Sequence, residues 1–178
     1  MPIVIRPATL ADVIELNALI ARAYRGDASR IGWTHEADLL DGQRTDVEAL
    51  SEIIRAPDKV ILLGFDGATL VGCVLVERQA EGGAYLGLLS VEPARQAAGT
   101  GRLLIDAAER EAVLRFGARR MEMTVIRQRV DLIAWYERRG YALTGDTAPF
   151  PLDDERFGIP KRRDLEFVVL AKSLSPAL

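Results

Sequence analysis

The chain has 178 residues, 49% of them hydrophobic and 28% charged, with a net charge of −3. That length suits one domain with a sizeable core, and the charge balance argues against a nucleic-acid binder, which normally carries a basic field. A single cysteine, Cys73, and a single histidine, His35, leave no intramolecular disulfide and make a transition-metal site improbable. The N-terminus lacks the basic and apolar regions of a signal peptide, and no apolar run approaches the roughly 20 residues of a membrane span. A reducing cytoplasm is the expected compartment.

Residues 3–6 read as a first strand. Thr9 to Asp12 form a capping signal for a helix carrying Val13, Leu16, Ile20 and Ala23 at helical spacing. Residues 25–44 keep no period and read as a loop. Thr45-Asp46-Val47-Glu48 is a capping box, with the helix running to about Arg55 before Pro57. Asp66-Gly67 lies between "KVILLGF" and "TLVGCVLVER", a strong hairpin signal. Residues 84–91 form a strand, 99–116 a helix, 121–126 a strand, and 130–139 a helix stopped by Gly140. A strand from Tyr141, a Pro-rich loop over 146–163 and a strand over 165–172 complete the chain. No repeat or linker divides it. The order implies an α/β domain over residues 1–178, with a mixed sheet and helices packed on it.

The stretch "VEPARQAAGTGR" (91–102) joins a strand to a helix through a Gly-x-Gly loop. Such a loop lets backbone N–H groups approach an anion at a helix start. A nucleotide P-loop would need a Gly-Lys dipeptide, which the chain lacks; a dinucleotide loop would need a third glycine and an early position. The pattern Gln96-x-x-Gly99-x-Gly101 instead resembles the cofactor loop of the GNAT superfamily of N-acetyltransferases. "LLSV" (88–91) resembles that family's bulged fourth strand, and "LIAWYERRGY" (132–141) its second motif.

The resemblance implies a mostly antiparallel sheet whose fourth strand (84–91) splays from the fifth (121–126). It implies acetyl-CoA as cosubstrate, with Leu89 and Val91 pairing to the pantetheine arm. Gln96, Ala97, Ala98, Gly99, Thr100, Gly101 and Arg102 would cradle the pyrophosphate. It also implies Tyr136 as the acid that protonates the leaving thiolate. Two positions depart from the family pattern: Arg129 and Leu132 stand where many members carry Asn and Ala. Glu122 and Glu77 are candidate bases, with Glu122 and Thr124 alternating against Met121, Met123 and Val125, and His35 is a further candidate base or acceptor contact. Trp33, His35, Glu36 and Asp38 are candidates for the acceptor site, where the acids would suit a cationic amine, and the Pro-rich loop is a candidate for its opposite wall.

The implied activity is transfer of acetyl to a primary amine of a small molecule or peptide, by direct attack in a ternary complex. A longer acyl chain and a non-catalytic acyl-CoA-binding module stay open as alternatives. The family is often dimeric, so a homodimer is a further expectation. Cys73, in "LVGCVLV", reads as core.

Overall fold

The computed structural model describes residues 2–25, 29–30, 36–96 and 98–176. Nine strands are found among them: β1 (Val4–Pro7), β2 (Leu40–Asp41), β3 (Lys59–Asp66), β4 (Thr69–Arg78), β5 (Gly83–Val91), β6 (Arg120–Ile126), β7 (Ala142–Pro149), β8 (Ile159–Pro160) and β9 (Glu166–Ser173). The helices are α1 (Val13–Tyr24), α2 (Val47–Arg55), α3 (Thr100–Phe116) and α4 (Val130–Glu137). Seven strands make one sheet in the order β1-β3-β4-β5-β6-β9-β7. Every neighbouring pair is antiparallel except β5–β6.

Strands β3 and β4 are apolar along nearly their whole length because both sheet faces are covered. Val60 and Leu62 point to one face, where they pack with Leu104, Ile105 and Ala108 of α3 and Tyr136 of α4. Ile61 and Leu63 point to the other, against Leu16, Leu19 and Ile20 of α1 and Leu50 of α2. Cys73 is fully buried in this second cluster. The hairpin at Asp66-Gly67 forms as the dipeptide predicts, with Gly67 at φ 62° and Asp66 paired to Thr69.

Four local expectations need revision. Thr9 and Asp12 do form their box: the Thr9 N–H and hydroxyl donate to Asp12 Oδ2 at 2.8 and 2.9 Å. The first turn is nevertheless 3₁₀, and α1 starts at Val13. The cap of α2 is Asp46 rather than Thr45, since Asp46 is the last extended residue and its Oδ1 accepts the Ala49 N–H at 2.8 Å. Within the 25–44 segment, β2 forms a two-stranded ribbon with β8, so the segment is pinned to the Pro-rich loop. That loop also starts later than residue 146, because β7 runs on to Pro149.

Two irregularities shape the sheet centre. Gly87 pairs with Leu75 and Ser90 with Cys73, so Leu88 and Leu89 lie opposite Val74 alone, a β-bulge. Leu88 adopts φ 50°, a left-handed conformation unusual for a leucine. The Cys73 thiol and Ser90 hydroxyl both donate to its carbonyl, at 3.3 and 3.0 Å, and hold the bend. The second irregularity is the β5–β6 pair, which is joined only at Gly83–Arg120, Ala84–Met121 and Tyr85–Glu122. Beyond these residues the two strands no longer pair with each other and open a V.

Candidate active site

The V is the centre of the site, and the bulge sits on its β5 arm. Past Tyr85, the β5 edge facing β6 has no partner strand. An open edge of this kind offers N–H and C=O groups to an amide-bearing ligand, which binds as an added strand. Leu89 and Val91 lie on this stretch of β5. The chain leaves Val91 through a 3₁₀ turn (Pro93–Arg95) and enters α3 at Gly99.

The two loop glycines serve different ends. Gly99 has φ 84°, and a Cβ there would meet nothing within 4 Å, so its requirement is backbone conformation. Gly101 lies in the first turn of α3, where a Cβ would stand 3.3 Å from the Trp135 ring, so its requirement is close packing of α3 on α4. The first N–H groups of a helix have no intrahelical acceptor and attract an anion. Gln96 is tied back to the strand, its Nε2 donating to the Val91 carbonyl at 3.2 Å.

A cavity of about 370 Å³ opens between this loop, the end of β5 and α4. Leu89 and Val91, expected from the strand, and Gln96, Gly99, Gly101 and Arg102, expected from the loop, line it. Ala98 is exposed and outside it, Thr100 is turned into the core, and Ala97 falls outside the described residues. Four arginines face the cavity (Arg102, Arg129, Arg138 and Arg139), and among the described residues no acid does. Arg139 stacks 3.5 Å over Trp135, and its Nε is buried without a hydrogen bond. The positive lining and free helix start match a polyphosphate, and the unpaired β5 edge matches an amide chain. Acetyl-CoA carries both, so the residues present fit it.

A second cavity, about 490 Å³, occupies the other side of the V. Tyr24, Leu89, Arg129, Leu132 and Tyr136 line both cavities and form the wall between them. Tyr136 is 5% exposed, and its hydroxyl makes no hydrogen bond among the described residues. Its ring meets Trp135 and Tyr141 edge to face. Burial pushes its pKa far above the ordinary phenol value, so it stays protonated. The Tyr24 hydroxyl donates to the Leu89 carbonyl, and burial likewise raises the Tyr24 pKa. Tyr141 is buried with its hydroxyl donating to Glu109 Oε1, a packing role.

Glu36 faces the second cavity as a neutralised acid. Its Oε2 pairs with Arg25 at 2.8 Å and its Oε1 with Arg129 at 3.1 Å. Burial acts to raise its pKa, but the guanidinium groups of Arg44, Arg129 and Arg25 outweigh this and hold it below the usual carboxylate range. Asp38 pairs with Arg30 at 2.6 Å on the surface. Neither acid is free to attract an amine. Glu122 lines neither cavity; its carboxylate pairs with Arg120 at 2.8 Å, where β5 and β6 are still joined. Glu77 pairs with Lys59 at 3.4 Å on the far strands. Trp33 and His35 lie outside the described residues.

Sequence reasoning missed Tyr24, Arg25 and Arg44, which come from segments with no motif of their own. Arg138 and Arg139 were visible in "YERRGY", directly after Tyr136, but only the helix packing shows them facing the cavity. Pro149, Phe150, Pro151 and Phe157, in and around the Pro-rich loop, line the second cavity.

The family profile described as "Acetyltransferase (GNAT) family" matches residues 17–141. No curated protein matches the chain. Among solved structures, the chain is similar to a GNAT-family acetyltransferase from Streptococcus pneumoniae, with 18% identity, a TM-score of 0.70, and 97% of this chain and 100% of that one covered. The ribosomal-protein-S18-alanine N-acetyltransferase of Escherichia coli shares 14% identity at a TM-score of 0.71, covering 99% and 97%. The yncA protein of Salmonella typhimurium, solved with its cofactor acetyl-CoA, shares 19% identity at a TM-score of 0.69, covering 100% and 97%. Splayed sheet, bulged strand, cationic glycine loop and family profile agree: this chain belongs to the GNAT family of acetyltransferases.

Proposed function

We propose that the protein transfers acetyl from acetyl-CoA to a primary amine bound in the second cavity, with both substrates present at once. The observation that carries this reading is Tyr136, whose unpartnered hydroxyl stands in the wall shared by the two cavities. Bound acetyl-CoA would supply an activated acyl group on a thiol leaving group. The chain then supplies three things. The β5 edge and α3 N-terminus orient the cosubstrate, and backbone N–H groups at the Leu88–Leu89 bulge polarise the acyl carbonyl. Tyr136 holds a proton on its hydroxyl for the departing sulfur; such general acid catalysis contributes roughly 100- to 10,000-fold. Among the described residues the second cavity presents one carboxylate, Glu36, and it is fully paired. The attacking amine therefore arrives unprotonated from solution.

That same lack of a free carboxylate favours, as a second reading, an acyl-CoA-binding module without turnover. Titration calorimetry with acetyl-CoA, on wild type and on the Gly99→Asp, Gly101→Asp double variant, tests the shared part. Binding by wild type and its loss in a still-folded variant is expected. No binding at about 100 µM, within the range typical of enzyme substrates, would sink both readings. Release of free thiol with a broad amine panel then separates enzyme from module.

A further inference from the structure

The acceptor-side cavity holds more positive charge than its own acid cancels. Arg25, Arg44 and Arg129 face it, and Glu36 is the one carboxylate among the described lining residues. Glu36 is already shared between Arg25 and Arg129. Arg25 is further satisfied by backbone carbonyls, its Nη1 donating to Gln43 at 2.8 Å and its Nη2 to Phe157 at 3.2 Å.

Arg44 is different. It is half-buried, and its Nε is buried with no hydrogen-bond partner. Its guanidinium stands 5.2 Å from the centre of the Tyr24 ring, an aromatic contact that satisfies none of its N–H groups. No hydrogen bond or close ion pair of Arg44 is found among the described residues. The acid that acts on it is Glu36, whose two carboxylate oxygens are bonded to Arg25 and Arg129 instead, and Asp46, two residues on, caps α2. Glu36 balances part of its charge through space, but a buried N–H group left without an acceptor is costly to keep. An anion supplied by the substrate would complete it, with Arg44 donating two parallel N–H bonds to a planar oxyanion.

We propose that Arg44 is the anion-binding residue of the acceptor site, and that the acceptor is a small amine carrying a carboxylate, of amino-acid type. This rests on the acetyltransferase reading above. It reverses the expectation that Glu36 and Asp38 select a purely cationic amine. Phe150, Phe157 and Phe167 also face the cavity, so the side chain of the acceptor is apolar. A free amino acid places its carboxylate two bonds from the amine; a peptide N-terminus does not, so the small molecule is favoured.

The test uses matched pairs that differ by the carboxylate: L-phenylalanine with phenethylamine, and L-leucine with isopentylamine. Thiol release from acetyl-CoA gives kcat/KM, and calorimetry with 3-phenylpropionate gives anion binding without turnover. Wild type is expected to prefer the carboxylate member by roughly ten- to a hundred-fold, the range for a charge-assisted hydrogen bond. Arg44→Gln should bring that ratio near one, chiefly through KM, and abolish 3-phenylpropionate binding. Arg44→Lys, which keeps the charge, should retain part of both and guards against a folding defect in the glutamine variant. A wild type that favours the decarboxylated amines, or equal ratios in wild type and Arg44→Gln, overturns the proposal. If no amine is turned over, the acetyltransferase reading fails, and 3-phenylpropionate binding still decides the site: loss on Arg44→Gln upholds the anion site, and no binding to wild type overturns it.

Discussion

At the scale of single residues, the site turns on which side chains are free to act. Tyr136 has a hydroxyl with no partner among the described residues, in a wall between two cavities; Glu122 has its charge paired on the surface. Tyr136→Phe should therefore lower kcat at saturating substrates by about 100-fold or more, while acetyl-CoA affinity stays near that of wild type. Unchanged kcat would remove the acid. Glu122→Gln should leave kcat/KM within about twofold, in the range of surface changes; a large loss would restore it as the base. The pH profile has a determined sign. Burial raises the Tyr136 pKa, so its hydroxyl proton, the one an acid at this position would give up, is present below the ordinary value near 10 and beyond. Activity should rise with pH as the free amine fraction grows, with no falling limb below about pH 10. A limb falling near neutrality would mean that another group is the acid. Tyr136 stood out in the sequence because its motif is local. Arg44 did not, because a lone arginine in an aperiodic segment acquires meaning only from neighbours that leave its buried N–H without an acceptor.

At the scale of elements, the loop and the strands tell different stories. The Asp66-Gly67 hairpin and the helix stop at Gly140 were legible because a left-handed residue at a chain reversal is a local requirement; both glycines have positive φ. The α2 cap slipped by one residue because Thr45 and Asp46 are both good caps, and only the backbone decides between them. The bulge at Leu88 was legible only through the family resemblance, since leucine carries no signal for φ 50°. The loop glycines can now be separated. Gly99→Ala puts a side chain at φ 84° and should cost about 1–2 kcal/mol, or a fall in Tm of about 2–8 °C for a chain of this size. Gly101→Ala adds a Cβ 3.3 Å from Trp135, at a helical position that otherwise favours alanine by about 1 kcal/mol. Its Tm should hold within about 3 °C while acetyl-CoA binding weakens, because Trp135 and the stacked Arg139 line the cavity. If both variants melt lower and bind acetyl-CoA normally, the glycines serve the helix start alone.

Over the whole molecule, the acceptor-side cavity depends on segments that the sheet itself does not hold. Arg25 caps the end of α1, Glu36 opens the described stretch 36–96, and Arg129 caps the start of α4. Their ion pairs, the Arg25 bonds to Gln43 and Phe157, and the β2–β8 ribbon join these pieces. No sequence period could reveal such a network, because its members are 11 and 93 residues apart and lie outside regular strands. Removing one member of a buried network strands the others, at about 3–5 kcal/mol. Glu36→Gln should thus lower Tm at pH 7 by roughly 10 °C, with the acceptor side loosened more than the cofactor side. The pH dependence follows from the direction of its shift. The carboxyl is held below its unfolded value of about 4.3, so the stability it contributes is complete above that pH and is lost as pH falls through the lower folded value. Wild type and Glu36→Gln should therefore differ most at neutral pH and converge as the medium is acidified below about pH 4. Thermal melts of both proteins across that range, read beside acetyl-CoA titrations at pH 7, test the network. Equal melting temperatures at pH 7 would mean that the arginines tolerate the loss of Glu36 and that the cavity wall is held by the ribbon alone.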